Sequence, residues 1–375
     1  MSDLLLPDDA LLLHVGPHKT GTTAVQSAFF AAASALEEHG VRYPGRSRTP
    51  MAGVVAVTGH GPMAGEPPLD IKDWERFVAC VPERGRVVVS SEFFADAEGE
   101  AVERVVEDLG RDRVHVVVTL RPLDRIVPSQ WQQYIQNGSV VSLRRWLRGI
   151  LRDDVAGTSG FWRRHRHDVL VRRWADVVGP DRVRVVVVDD RDPAALLRTF
   201  EDLVGAPDGI LQPEPDRLNR SLTLPEVEVV RSLNKEFRLR GWEARDYRRF
   251  VRLGATKGLK AVPPDPSAPR VVLPRWALER LHTVSLEMVD QIRASGVAVV
   301  GDLDDLVVAR PGPDAPDSIP RTVAVPSDVA ARAVAGAVEA AHADRAGMTS
   351  RLRKMRALSP GAVVERVLPR VGRRR

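Results

Sequence analysis

The chain has 375 residues, 43% of them hydrophobic, one cysteine and a formal net charge of +5, enough to bury a sizeable core as one large domain or one domain plus an appendage. No run of eighteen apolar residues is present, so no transmembrane helix is expected, and the start Met1-Ser-Asp-Leu-Leu-Leu-Pro-Asp-Asp9 lacks the basic region of a signal peptide. A single cysteine, Cys80, excludes an internal disulfide and a cysteine metal cluster, and makes a reducing cytoplasm the expected compartment.

In chain order, Leu11 to Val15 is an apolar run of strand length that breaks at Gly16. Thr23 to Gly40 follows with helical spacing (Val25, Ala28, Phe29, Ala32, Leu36) and a closing glycine. Residues 41–70 are rich in Gly, Pro, Arg and His without periodicity, and read as a long loop or lid. Asp73 to Val81 suggests a short helix, Arg86 to Ser91 a buried strand, Ala97 to Leu109 an amphipathic helix and Val114 to Leu120 another apolar strand. Leu123 to Asn137 is helical although Pro128 lies within it, and Phe161 to Val178 gives a further helix stopped by Gly179-Pro180. Arg184 to Val188 is a third apolar strand, followed by a helix over Pro193 to Val204. Continuously apolar strands alternating with helices predict an α/β fold, a doubly wound, mostly parallel sheet flanked by helices.

Beyond Gly205 the pattern turns helical. Thr223-Leu-Pro-Glu226 has the form of a capping box opening a helix that runs to about Arg240. Trp276 to Ser295 is another helix, and Val299 to Val308 suggests a late strand. The expected organisation is a main domain over residues 1–310, a Pro/Asp-rich linker with an Ala-rich helix over 311–348, and a basic, disordered tail over 349–375. From Arg351 onward nine Lys/Arg face one acid, Glu365, a net +8 that leaves −3 for the rest of the chain. The basic character belongs to the tail, which is able to touch anionic surfaces, and says little about what the main body binds.

The stretch His14-Val-Gly-Pro-His-Lys-Thr-Gly-Thr-Thr23 joins the first strand to the first helix. A glycine turn feeding a helix N-terminus converges backbone N–H groups on an anion. In a nucleotide-kinase loop the lysine follows the second glycine, whereas Lys19 precedes Gly21 by two. Lys19 supplies a point charge for a leaving group, and Thr20, Thr22 and Thr23 supply hydroxyls and amides to the same anion. Arg121, at the carboxyl end of a central strand, and Ser129, eight residues on, form a second candidate anion site, where open α/β sheets bind ligands. Glu92, ending its strand, reads as a general base or as an acid at a helix start. His60 is a rival base, and Asp189 and Asp190 are either turn residues or a Mg²⁺-holding pair.

The stretch from His14 to Thr23 resembles the 5′-phosphosulfate loop of PAPS-dependent sulfotransferases, whose pattern places Lys just before Gly-Thr-Thr. Arg121 and Ser129 are similar to that family's 3′-phosphate motif, and Val88-Val-Ser-Ser-Glu92, Arg173-Trp174 and Asn219-Arg-Ser-Leu222 resemble bacterial members. The resemblance spans roughly residues 10–235. It implies a P-loop-like sulfotransferase fold with a helical C-terminal part, and sulfuryl transfer from PAPS to a hydroxyl or amine with no metal. His18, Lys19, Thr20, Gly21, Thr22, Thr23, Arg121, Ser129 and Arg220 would hold the co-substrate, Lys19 would stabilise the leaving group, and Glu92 or His60 would be the base. Where the cytosolic animal enzymes carry an adenine-stacking aromatic, this chain has Ala24-Val25-Gln26. The acceptor is a small molecule, carbohydrate or lipid, walled by residues 42–80 and the late helices, with Trp74, Trp242 and Tyr247 as candidate lining. The alternatives are a P-loop kinase using ATP-Mg and a non-catalytic nucleotide-binding protein.

Overall fold

A computed structural model describes residues 4–45, 47–59, 69–152, 160–213 and 220–357, the last fourteen of these by backbone alone. The chain divides into two compact units: one of residues 1–134, 141–216 and 270–322, the other of 135–140, 217–269 and 323–375. The second unit therefore draws 217–269 from inside the 1–310 span and joins it to the C-terminal helix.

The first unit is built on a sheet of six strands, β1 (Leu11–Val15), β2 (Val41–Arg42), β3 (Arg86–Ser91), β4 (Val114–Leu120), β5 (Val183–Val187) and β6 (Ala298–Val300), in the order β2-β3-β1-β4-β5-β6. Every neighbouring pair is parallel. The central strands are apolar throughout because both faces are covered. Leu11, Leu13 and Val15 pack with Val102 and Val106 of α4 (Glu100–Leu109) and Leu170 and Trp174 of α8 (His167–Val178). Leu12, Val88 and Val117 face the other way, onto Val25 and Phe29 of α1 (Thr22–Glu38) and Phe200 and Leu203 of α9 (Ala195–Val204). The expected α/β architecture is the one found.

Several expected elements differ in detail. The stretch read as a loop over 41–70 contains β2 and a helix, α2 (Met51–Val57). That helix is fixed by its neighbour α3 (Ile71–Val78): a Cβ on Gly53 would stand 2.9 Å from the Asp73 carbonyl and 3.0 Å from the Trp74 Cα. The helix expected over 161–178 is two, α7 (Gly160–His165) and α8, broken at Arg166, whose guanidinium turns to Asp168 at 2.8 and 3.0 Å. The remaining helices of the first unit are α5 (Leu123–Gln136, which runs on into the second unit), α6 (Leu143–Ile150) and α13 (Arg275–Ala294). The late strand is only the three residues of β6, followed by a 3-10 turn over Leu303–Leu306.

The second unit is helical: α10 (Leu224–Arg240), α11 (Ala244–Asp246), a π-helical stretch Tyr247–Ala255, α12 (Thr256–Ala261) and α14 (Ser327–Ala357). Thr223 and Glu226 form the expected capping box, Thr223 N–H donating to the Glu226 carboxylate at 2.8 Å. Small residues let α14 lie against the π-helical stretch: a Cβ on Gly336 would stand 2.5 Å from the Gly254 carbonyl oxygen and 3.0 Å from the Gly258 Cα. The helix continues past Met348, to Ala357; the rest of the basic tail, from residue 358, lies outside the described residues.

Candidate functional site

The loop from Gly16 to Gly21 leaves the carboxyl end of β1 between β3 and β4, with Val15 in register with Ser91 on one side and Val118 on the other. Its path needs two left-handed residues, Lys19 at φ 76° and Gly21 at φ 87°. A glycine tolerates that backbone freely, whereas for lysine it costs roughly 1–2 kcal/mol. Lys19 is the one non-glycine residue held there among the described residues, and such strain persists only where the surroundings over-determine it.

Those surroundings are a buried polar chain beneath the loop. His14 Nδ1 lies 2.8 Å from the Ser90 hydroxyl and His14 Nε2 3.0 Å from the Thr119 hydroxyl. Thr119 in turn meets the Thr20 hydroxyl at 2.9 Å, and Thr20 Oγ1 donates to the Pro17 carbonyl at 2.8 Å. Thr22 Oγ1 donates to the Gly16 carbonyl at 2.8 Å. A Cβ on Gly16 would stand 2.2 Å from that hydroxyl and 2.7 Å from His14 Nε2. The hydroxyls of Thr20 and Thr22, expected to face an anion, thus point inward and brace the loop. What the loop offers outward is backbone: the first amides of α1 have no intrahelical acceptor, and the helix macrodipole places partial positive charge at them. Thr23, second in α1, is exposed. Burial holds the His14 imidazole neutral, with its pKa pushed down to about 3.

Arg121 follows β4 directly and reaches the loop: its Nη1 donates to the Lys19 carbonyl at 3.4 Å. Its Nη2 and Nε donate to Asp190 at 2.8 and 3.2 Å. Asp190 comes from the chain just beyond β5, which β4 carries beside Arg121 through Val188 N–H donating to the Leu120 carbonyl at 2.8 Å. Asp189 is drawn to Arg191 at 2.8 Å, so each member of the candidate metal pair is ion-paired to an arginine. Ser129 sits half-buried in the second turn of α5, beside Pro128.

Glu92 opens the 3-10 turn after β3, and its Oε2 accepts from Gln26 Nε2 of α1 at 3.1 Å. Tyr43, stacked on Phe29 at 5.6 Å between ring centroids, has its hydroxyl pKa raised, first by burial and then by the Glu92 charge. That places Tyr43 in the electrostatic neighbourhood of Glu92. His18 meets Phe93 edge-on at 5.4 Å, and its imidazole is held well below its ordinary pKa by burial and by the charges of Arg164 and Lys19. His60 lies outside the described residues.

Three sequence expectations are corrected. Arg220 is engaged within the second unit: it pairs with the Glu226 carboxylate at 2.7 Å and donates to the carbonyls of Leu259, Lys260, Ser221 and Val262. Its guanidinium is spent on holding the capping box and a chain crossing within the second unit. Trp74 is fully buried, its indole N–H donating to Asp108 at 2.7 Å, so it is a core residue rather than an exposed lining one. The Tyr247 hydroxyl donates to Asn234 Oδ1 at 2.9 Å and lies 3.3 and 3.2 Å from the carbonyl oxygens of Ile135 and Gln136, inside the second unit. Conversely, His14, Gln26 and Tyr43 belong to the site without any motif that marks them in the sequence. The one available signal was polar residues (His14, Ser90, Thr119) interrupting three apolar strands near the same end.

No family model matches the chain, and no curated protein matches it. Among solved structures it is similar to a sulfotransferase from Alicyclobacillus acidocaldarius, at 16% identity and a TM-score of 0.40, covering 64% of this chain and 98% of that one.

Proposed function

We propose that the chain transfers a sulfuryl group from PAPS to an acceptor hydroxyl or amine. The observation that carries the reading is Arg121. A nucleotide with a single phosphate chain is served by the loop alone, whereas here a second cation, the Arg121 guanidinium at the end of the neighbouring strand, stands against the loop at the Lys19 carbonyl. Two cationic positions on adjacent strand ends suit a ligand with two separated anionic groups, a 5′-phosphosulfate on the loop and a 3′-phosphate at Arg121.

On this reading the acceptor oxygen attacks sulfur as the bond from sulfur to the bridging phosphate oxygen breaks. The acceptor proton passes to the Glu92 carboxylate, with His60 as the rival base, and the bisphosphate leaves with its new charge beside Lys19 and the α1 amides. Gln26, donating to Glu92 at 3.1 Å, orients the carboxylate. The kinase alternative loses support because Lys19 precedes Gly21, whereas a nucleotide-kinase loop places its lysine after the second glycine.

Calorimetric titration with 3′,5′-bisphosphoadenosine, 5′-AMP and ATP-Mg tests it. The bisphosphate is expected to bind most tightly, and Arg121→Ala to abolish that advantage. Equal affinity for the bisphosphate and 5′-AMP, unchanged in Arg121→Ala, would overturn the proposal.

A further inference from the structure

We propose that a second groove, formed by residues other than those of the phosphate loop, binds an oligosaccharide carrying sulfate or carboxylate groups. The groove has a volume of about 360 Å³ and is lined by Arg144 and Arg148 of α6, Trp276 at the start of α13, and the segment Asp317–Arg321. Clefts of this size are the ordinary scale of ligand sites.

One wall is built rather than loose. Arg275, next to Trp276, donates from Nη2 to the carbonyls of Gly312, Pro313 and Ala315 at 3.3, 3.2 and 3.4 Å. Its backbone N–H donates to the Pro316 carbonyl at 2.8 Å, and its Nε pairs with Asp317 at 3.3 Å. Residues 312–317 are thereby pinned to the first turn of α13, and the one carboxylate of the lining is already engaged. Arg144, Arg148 and Arg321 are exposed and form no ion pair among the described residues, so the groove carries an uncompensated positive charge.

The arrangement selects a ligand class. Arg144 and Arg148 stand one helical turn apart, about 6 Å along the axis, and present two guanidinium forks in a row. Guanidinium matches sulfate and carboxylate bidentately. Trp276, lining the same groove, leaves 36% of its surface to solvent, a flat apolar face on which a ring can lie. Repeated anionic groups together with a ring, in an open groove, describe an acidic sugar chain better than a single small anion.

The probe is a heparin-derived hexasaccharide, with a neutral dextran oligosaccharide as control, titrated calorimetrically at low and physiological salt. The sulfated probe is expected to bind and the neutral one not. The double variant Arg144→Glu/Arg148→Glu is expected to weaken binding about tenfold or more, and Trp276→Ala to weaken it independently. All three side chains are exposed, so Tm is expected to stay unchanged. The basic segment after Arg351 remains in every variant, and any binding it provides is the residue left after both substitutions. Unchanged affinity in the charge-reversed and Trp276→Ala proteins would overturn the proposal. So would competition by 3′,5′-bisphosphoadenosine, which would move the sugar to the phosphate loop.

Discussion

Asp190 occupies the place that the proposed 3′-phosphate would take, and the substitution Asp190→Asn measures the consequence. In the free protein its carboxylate accepts from Arg121 Nη2 at 2.8 Å and Nε at 3.2 Å, with side-chain exposures of 38% and 28% for Asp190 and Arg121. A pair this exposed contributes about 0.2–1 kcal/mol after screening. An incoming phosphate has to displace it and to lie near its charge. Asparagine keeps the shape and one acceptor but removes the charge, and Arg121 keeps its bond to the Lys19 carbonyl. Affinity for 3′,5′-bisphosphoadenosine is therefore expected to rise about 1.4- to 5-fold, the range that 0.2–1 kcal/mol gives. Affinity for 5′-AMP is expected to stay the same. Calorimetry with both ligands checks this at two salt concentrations, the gain shrinking at the higher. If the bisphosphate binds no tighter, or 5′-AMP gains equally, Arg121 does not read a 3′-phosphate.

Lys19→Gly removes both the charge and the left-handed strain at φ 76°. Thermal unfolding is expected to show an unchanged or higher Tm, while single-turnover transfer falls on the order of 10²–10³. Glu92→Gln is expected to lower kcat about 10²–10⁴ and leave bisphosphate affinity intact; an equal loss in both would make Glu92 a structural residue. His14, with a pKa near 3 when folded, stays neutral while the unfolded chain takes up a proton below about pH 6.5. Stability present above pH 6.5 is thus lost as pH falls toward 3, by at most about 1.4 kcal/mol per pH unit for this group. His14→Gln is expected to flatten that acid limb in denaturant titrations, His18, His165 and His167 accounting for what remains. Gly336→Val forces a side chain onto the Gly254 carbonyl and should lower stability by about 1–3 kcal/mol in urea unfolding.

The elements legible in the sequence are those whose cause is local or periodic. β4 occupies the apolar run Val114–Leu120 itself, because burial on both faces demands an unbroken apolar stretch. The capping box at Thr223 is visible because its two partners are three residues apart. Helix α2 is not, since seven residues between glycines and prolines owe their conformation to the close approach of Gly53 to α3. Arg220 misled for a related reason. Its place in Asn219-Arg-Ser-Leu222 makes it a co-substrate ligand by resemblance alone, yet Glu226, six residues on, is the carboxylate it pairs with. Ion-pair choice among many arginines is a three-dimensional matter. The same holds for Asp190 and Arg121, which lie 69 residues apart.

The carboxyl end of β4 fastens the loop at two nearby residues. Thr119, still in the strand, holds the Thr20 hydroxyl from below, and Arg121, one pleat further, holds the Lys19 carbonyl from the side. Positions two apart in a strand point to the same side, so a single strand end presents both groups to the loop. Because Thr119 also carries His14 and, through it, Ser90 of β3, the three strands that meet beneath the loop share one hydrogen-bonded chain. Glu92 leaves β3 two residues after Ser90 and is steered by Gln26, whose Nε2 also reaches the Ser90 carbonyl at 3.3 Å. The group expected to take the proton and the group expected to meet the leaving oxygen are therefore referenced to the same buried framework. The backbone positions of Lys19 and Glu92 are thus set by the register of β1, β3 and β4, which is strongly specified where a sheet face is buried, and the Gln26 side chain sets the final direction of the Glu92 carboxylate.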